Sequence, residues 1–517
     1  MHSLWRVFDK KGMTEMSKLS IPVGISNFEK IRNGGFYYID KTGLIAELVR
    51  SSAEVTLITR PRRFGKTLGM SMLESFFDIR KDSKKLFDGL EISHQKNLCE
   101  KWMNQWPVVF LSLKNVDGIH FSDAYQQLVY EISLLYQQHD NLLKSTALSD
   151  RDKFLFKQLQ ERQAGKTDIM RSLQFLTRLL EQHYGKKVIL LIDEYDVPLD
   201  KALQYGYYDE MVSLIRNMFG NVLKTNSSLF FAVLTGCLRI AKESIFTGLN
   251  NFNVFSITSV QFDEFFGFTD DEVAEMLKYF GLSDYHETIR EWYDGYQFGK
   301  KAVYCPWDVI SYCRNLCADP DAIPEDFWSN TSSNSIVSRF IDKANKQTRD
   351  EIENLISGET VIKEIKQELT YNELDKSIEN LWSILFTTGY LTQRERIDSR
   401  KLRLAIPNRE IKELFELQIR EWFQEKSSED VKKLDKLCMA FPDGDAETIE
   451  DLFNDYLWNT ISIRDTAVKG RKENFYHGIL LGILGYKNGW YIKSNRESGN
   501  GYSDIFIKIE KEDIGII

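Results

Sequence analysis

Lys66 and Thr67 close the run VTLITRPRRFGKT (Val55–Thr67), and Asp193 and Glu194 follow the apolar run that opens VILLIDEYD (Val188–Asp196). An ammonium and a hydroxyl just after a tight turn, answered later by two carboxylates, can hold polyphosphate and magnesium. In a P-loop, backbone N–H groups aim at phosphate, a Lys reaches the β/γ-phosphates and a Ser or Thr hydroxyl binds Mg²⁺. An acidic residue from a neighbouring strand completes the metal site. On this reading Lys66 contacts phosphate, while Thr67 and Asp193 hold Mg²⁺. A GKT tripeptide alone arises often by chance. Two such segments, in this order and each on a buried-strand pattern, point to nucleotide binding.

One position departs from G-x-x-x-x-G-K-[ST]: Arg60 stands where the first Gly belongs. Gly suits such loops because it accepts positive φ and lets backbone approach phosphate closely. The basic residues Arg60, Arg62 and Arg63 offer compensation, since guanidinium forks match phosphate oxygens. A solvated turn explains each arginine about as well. Arg60, Arg63, Phe64, Gly65, Lys66 and Thr67 together form the expected nucleotide-binding set.

These groups need strands to deliver them. Val55–Thr59, Trp106–Leu113, Val188–Asp193 and Leu229–Thr235 read as buried strands, and helical patterns alternate with them. LGMSMLESFF after Thr67 reads as the P-loop helix, and 122–184 as a long helical insertion. Alternation of this kind predicts an α/β, doubly wound parallel sheet with ligands at the carboxyl ends of its strands. Gly65, Asp193 and Thr235 fall at such ends. From Asp270 onward strand signals become rare. Thr269 is a candidate N-cap for DDEVAEMLKYF, and 349–392 reads as mostly helical. The charged stretch 427–445 reads as a linker. The expected divisions are 1–15 as a leader, with Met16 a candidate start; 16–260 as the P-loop domain; 261–430 as a helical lid and linking region; and 431–517 as a small α/β domain.

YYIDKT (Tyr37–Thr42), TRPRRFGKT, LIDEYD, LTGCLRIAKESIFTGLNN (Leu234–Asn251) and WYDGYQFG (Trp292–Gly299) together resemble the prokaryotic AAA-ATPase-like proteins. Members commonly carry a C-terminal PD-(D/E)xK, restriction-endonuclease-like domain. The resemblance implies that an Arg in place of the first P-loop Gly is usual. It implies that Glu194 polarises the attacking water and that Thr235 senses the γ-phosphate. A strand-end hydroxyl bonded to backbone is the other reading of Thr235. Arg239 is implied as a sensor or trans-acting arginine, against a helix-surface ion pair. Asp196 either joins the site or caps the next helix. Asp40 and Lys41 border the nucleotide or form an ordinary turn. Toward the C-terminus the resemblance assigns Glu473 and Asp504 to a second Mg²⁺ site, with Glu497 in SNRESG. No (D/E)xK element follows Asp504 on an apolar strand, and Glu510–Asp513 reads as a solvated turn. That domain is therefore expected to be incomplete, with an unpaired edge and no cleavage.

Composition bounds the rest. The chain has 517 residues, 43% of them hydrophobic, and a formal charge of −9, which gives no support to a dedicated nucleic-acid binder. Its six cysteines form no CxxC pair. Cys313 and Cys317, one helical turn apart, read as core packing rather than zinc ligands. No apolar run reaches membrane-span length, and a cytoplasmic location is expected. The functional expectation is an ATP-binding, Mg²⁺-dependent ATPase that drives or gates a nuclease-like module. DNA is a candidate partner through the C-terminal domain, and a homo-oligomer is left open. A signalling switch or scaffold with negligible turnover is the alternative. Glu194 favours turnover. A kinase reading lacks any acceptor-site motif.

Overall fold

The computed structural model describes residues 19–238, 252–328, 335–366, 376–428, 431–460, 490–498, 501–509 and 512–516, with a few isolated positions between them. Residues 1–18, which include the expected leader, lie outside the described residues.

Five strands build the central sheet: β1 (Val55–Thr59), β2 (Val108–Ser112), β3 (Val188–Asp193), β4 (Leu229–Gly236) and β5 (Phe252–Phe255). Their order is β2-β3-β4-β1-β5, and every pairing is parallel. Every residue of β1 and β3 is buried, as continuous apolar runs demand when helices cover both faces. Register aligns the carboxyl ends, with Ser112 beside Asp193 and Thr59 beside Gly236.

The acidic strand, expected to neighbour the strand that ends in the Gly65-Lys66-Thr67 turn, does not. β4 lies between them. Apolar β4 is hydrogen-bonded on both sides there, to β3 and β1, and its end carries Thr235.

The helix Lys66–Phe77 leaves the P-loop and buries Met70, Leu73, Phe76 and Phe77. The insertion folds as helices Phe121–Gln137, Asp150–Gln160 and Lys166–Tyr184. The last of these turns Leu173, Leu176 and Leu180 inward at helical spacing. Tyr136 ties it to the first, donating to the Ser172 carbonyl at 2.8 Å.

Beyond the sheet, strands are more frequent than the sequence suggested. β6 (Tyr296–Phe298) and β7 (Lys301–Val303) form a hairpin, and β8 (Val361–Glu364), β9 (Thr392–Arg396) and β10 (Lys401–Ala405) form an antiparallel sheet of order β8-β10-β9. β8 interrupts the expected helical stretch 349–392. These strands are three to five residues long, too short for alternation to stand out from noise. The Thr269 cap is present, with Thr269 and Glu272 in a capping box. The helix Val431–Asp443, with Leu434, Leu437 and Cys438 buried, fills most of the expected linker.

At the far end β11 (Trp490–Ser498), β12 (Gly501–Ile509) and β13 (Glu512–Ile516) pair antiparallel in that order. The expected strand-turn-strand is there, and Asp504 lies in β12. Glu512 and Asp513, expected in a turn, open β13, where Asp513 pairs with Lys508. Glu473 and Arg239 lie outside the described residues. No described helix is long and apolar enough to cross a membrane.

Candidate functional site

Gly65 is the N-cap of the helix Lys66–Phe77 and sits at φ 80°. No side chain caps that helix, so its first N–H groups are free to meet an anion. Two other residues near this end also take positive φ without being glycine, Arg63 at 71° and Glu194 at 52°. Each such residue costs on the order of 1 kcal/mol, and outliers of this kind cluster where function holds them.

Thr67, Asp193 and Thr235 come together. Thr67 Oγ1 donates to Asp193 Oδ2 at 2.8 Å, and Thr235 Oγ1 donates to Asp193 Oδ1 at 2.6 Å. The carboxylate is fully buried. Burial and the adjacent Glu194 raise its pKa, while the two hydroxyls oppose the rise. Lys66 Nζ donates to the carbonyls of Pro61 (3.0 Å) and Arg60 (3.2 Å), and lies 3.6 Å from Glu194 Oε1. Burial works against its charge, but its acidic surroundings raise its pKa above the ordinary lysine value. Burial pushes the Cys237 thiol, 3.5 Å from Nζ, up to about 12. The acids around the ammonium are Glu194, Asp196 and Asp193.

Asp196 is the N-cap residue of the helix Val197–Tyr205, without a side-chain capping bond, and its charge adds to the acidic surroundings of Lys66. Its Oδ2 accepts from the backbone N–H of Cys237 (2.8 Å) and Leu238 (2.9 Å), so it fixes the turn after β4. A Cβ at Gly236 would stand 2.7 Å from Asp196 Oδ1 and 2.5 Å from the Tyr195 ring, which explains the glycine there.

The loop arginines have different surroundings. Arg60 is fully buried: its guanidinium donates to the carbonyls of Thr59 (2.9 Å), Phe255 (3.1 Å) and Phe262 (2.8 Å), and lies against the rings of Phe266 and Phe298. Burial lowers its pKa to about 9. In this structure its side chain grips the protein behind the loop. Arg63 donates to the Phe327 carbonyl, lies 3.9 Å from Asp308 and sits over Trp307. Phe64 is buried against Tyr296 and Phe298.

A cavity of about 330 Å³ opens beside the loop, lined by Gly65, Lys66, Thr67 and Glu194 at one end. Its wall is largely apolar, with Ile25, Tyr37 and Ile39 from the N-terminal segment and Phe268, Met276 and Trp307 from beyond the sheet. No periodicity marks these wall residues; Tyr37 and Ile39 lie in YYIDKT, and Trp307 lies in the aromatic-rich WYDGYQFGKKAVYCPWDV. YYIDKT contributes in two ways. Tyr37 and Tyr38 line the cavity. Lys41 binds both oxygens of Glu272 at 2.6 and 2.7 Å, and Asp40 accepts from Thr42 and from the Glu91 N–H.

Residues 22–246 are similar to the predicted AAA-ATPases, whose family model they match. Over 406 residues the chain is 28% identical to an uncharacterized protein from the vnfD 5′ region of Azotobacter chroococcum mcd 1, covering 77% of this chain and 69% of that protein. The AAA-ATPase-like segment holds Lys66, Thr67, Asp193, Glu194 and Thr235. The part of the cavity wall contributed by Phe268, Met276 and Trp307 lies beyond it.

The residues fit Mg²⁺. Among the described residues no cluster of three or more His, Cys, Asp or Glu side chains could hold a metal alone. A nucleotide-bound Mg²⁺ needs only one or two protein oxygens, because phosphates and water supply the others. Thr67 Oγ1 and Asp193 Oδ2 are already adjacent. Cys313 is buried and Cys317 exposed, so only the first of that pair packs in the core.

Proposed function

We propose that this chain binds ATP with Mg²⁺ and hydrolyses it at the carboxyl ends of β1, β3 and β4. The observation that carries the reading is the Asp193 carboxylate held between Thr67 and Thr235, beside Lys66 and Glu194. Thr67 and Asp193 would hold the metal, which supplies charge neutralisation at the β- and γ-phosphates. Lys66, now folded onto the Arg60 and Pro61 carbonyls, would turn to phosphate. Glu194, released from Lys66, would orient the attacking water. Thr235 would report the γ-phosphate through Asp193. The apolar chamber would take the base, with Trp307 and Tyr37 offering ring faces. Gly65 and Phe64 shape the loop, Arg60 holds it from behind, and Arg63 stands on the cavity wall over Trp307.

In this reading turnover drives or gates the C-terminal segment, where Asp504 in β12 and Glu473 remain candidate metal ligands of a nuclease-like module without cleavage. One observation favours the switch alternative. The Lys66–Glu194 pair occupies both catalytic groups at rest, which suits a protein that waits for a partner. ATP titration by calorimetry tests the core of the proposal. Lys66→Ala should weaken ATP binding by about 1.5–3 kcal/mol, the loss of a charge-assisted contact. Unchanged affinity would exclude the P-loop assignment. Turnover measured with and without DNA separates ATPase from switch.

A further inference from the structure

The loop carries three arginines, and the structure separates them. Arg60 is enclosed by three carbonyls and two rings. Arg63 is held by the Phe327 carbonyl, Asp308 and Trp307. Arg62 stands apart. Its side chain is 45% exposed, and it meets Asp200 at 3.4 Å, a carboxylate itself 44% exposed. An ion pair so open and so long contributes little, and a phosphate would displace it readily.

Its position also matters. Arg62 follows Pro61, whose carbonyl accepts from Lys66 Nζ. Asp200 lies in the first turn of the helix Val197–Tyr205 (Asp196 is the N-cap), immediately after the Asp193–Glu194 end of β3. Burial works against the Arg62 charge, yet Cys237, Asp200, Asp196 and Glu194 raise its pKa above the ordinary value. Cys237, Asp196 and Glu194 also surround Lys66. Lys66 is buried against Glu194 and Arg62 is half-exposed against Asp200, so the loop presents one cation inside and one outside at the ends of β1 and β3.

We infer that Arg62 is a catalytic γ-phosphate residue acting within its own chain: on ATP binding its guanidinium leaves Asp200 and closes on the γ-phosphate opposite Lys66. The inference rests on the ATPase reading above. In the step it serves, a water oxygen bonds to the γ-phosphorus. The bond from that phosphorus to the β,γ-bridging oxygen breaks, and its electron pair leaves with ADP. The water's proton passes by way of Glu194 to solvent. Arg62 transfers no proton. It donates two N–H groups to non-bridging oxygens whose charge is redistributed in the transition state, for which a planar fork is suited. Asp200 competes with the nucleotide for that fork.

Titrating the full-length chain with ATP and with ADP, each with Mg²⁺, tests this. Arg62→Ala should weaken ATP binding about 10-fold or more and leave ADP within about 2-fold, because ADP lacks the group contacted. Turnover should fall by roughly 10³-fold. Arg62→Lys should recover part of the ATP affinity, and Asp200→Ala should tighten ATP while leaving ADP unchanged. Equal losses for ATP and ADP in Arg62→Ala, or an Asp200→Ala variant that reproduces those losses, would show that Arg62 only holds the loop and overturn the assignment. Wild-type protein that binds ATP beside an Arg62→Ala variant of the same ATP affinity overturns the Arg62 role alone. Wild-type protein that binds neither nucleotide overturns the ATPase reading itself.

Discussion

The two faces of the P-loop bury charge in opposite ways. On the front face Lys66 lies among Glu194, Asp193 and Asp196, and two hydroxyls complete Asp193. Carboxylates and hydroxyls surround this face, although Lys66 Nζ also donates to the Arg60 and Pro61 carbonyls. On the back face Arg60 meets backbone carbonyls and aromatic rings, and Phe64 is wedged between Tyr296 and Phe298. Nothing there can be replaced by a ligand. The front partners fall inside the 22–246 match, whereas most back-face partners lie between residues 255 and 328. A loop normally shaped by a glycine is here shaped by an arginine bolted to the layer behind it. That explains why the departure at Arg60 need not cost the front face its geometry.

If this contrast is right, the largest effect comes from the back. Arg60→Ala would leave the carbonyls of Thr59, Phe255 and Phe262 without their donor and open a cavity, for a loss of roughly 3–5 kcal/mol of stability. Arg60→Gly, which restores the usual loop residue, should fare no better. Calorimetric melting of both variants checks this, and a glycine variant as stable as wild type would break the contrast. On the front face the fold should tolerate change and chemistry should not. Glu194→Gln keeps the shape and hydrogen-bonding capacity of the side chain and removes the carboxylate. It should retain ATP affinity and lose turnover on the order of 10²-fold, the usual worth of a positioned base. A variant that loses affinity and turnover together would place Glu194 in binding.

The same contrast governs what the sequence made legible. Lys66, Thr67, Asp193 and Thr235 were readable because each ends a long apolar strand or opens an apolar helix, where pattern and motif agree. The parallel sheet followed from that alternation, but the position of β4 did not, because strand order is not written in periodicity. β6 to β9 are hidden by brevity, whereas Leu402–Ile406 is legible as the strand that becomes β10. The setting of the Arg60 side chain is not legible in the sequence, for a physical reason. An arginine beside two others looks solvated, and only the fold shows that carbonyls from β5 and the turn after it converge on it. Arg62 and Arg63 are adjacent and chemically alike, so no sequence argument could assign one to solvent and the other to Phe327. The wall of the cavity comes from segments about 200 residues and more apart, as with Tyr37 and Trp307, and the YYIDKT motif that holds Tyr37 does not say what it faces.

The smallest predicted effect lies where the back face carries acid. Asp308 is fully buried, faces Arg63 and Cys305, and shares its surroundings with Glu410 and Asp326. Glu410 accepts from the N–H groups of Phe327 (2.6 Å) and Trp328 (2.9 Å). Burial pushes Asp308 up to about 6, and burial with Asp308 beside it pushes Glu410 well above its ordinary value. Acids raised in this way bind more protons in the folded state than in the unfolded one. Stability therefore falls as pH rises, and for Asp308 the fall runs from its unfolded value near 4 to about 6. Asp308→Asn cannot ionise, so across that interval wild type should lose on the order of 1 kcal/mol relative to the variant. Melting temperatures of both proteins between pH 4 and 7 measure the difference. Front-face variants such as Glu194→Gln serve as the control, since they leave the Asp308–Glu410 pair intact. Parallel curves for wild type and Asp308→Asn would mean that Arg63 keeps Asp308 ionised throughout, making the back face an ion pair rather than a proton-holding one.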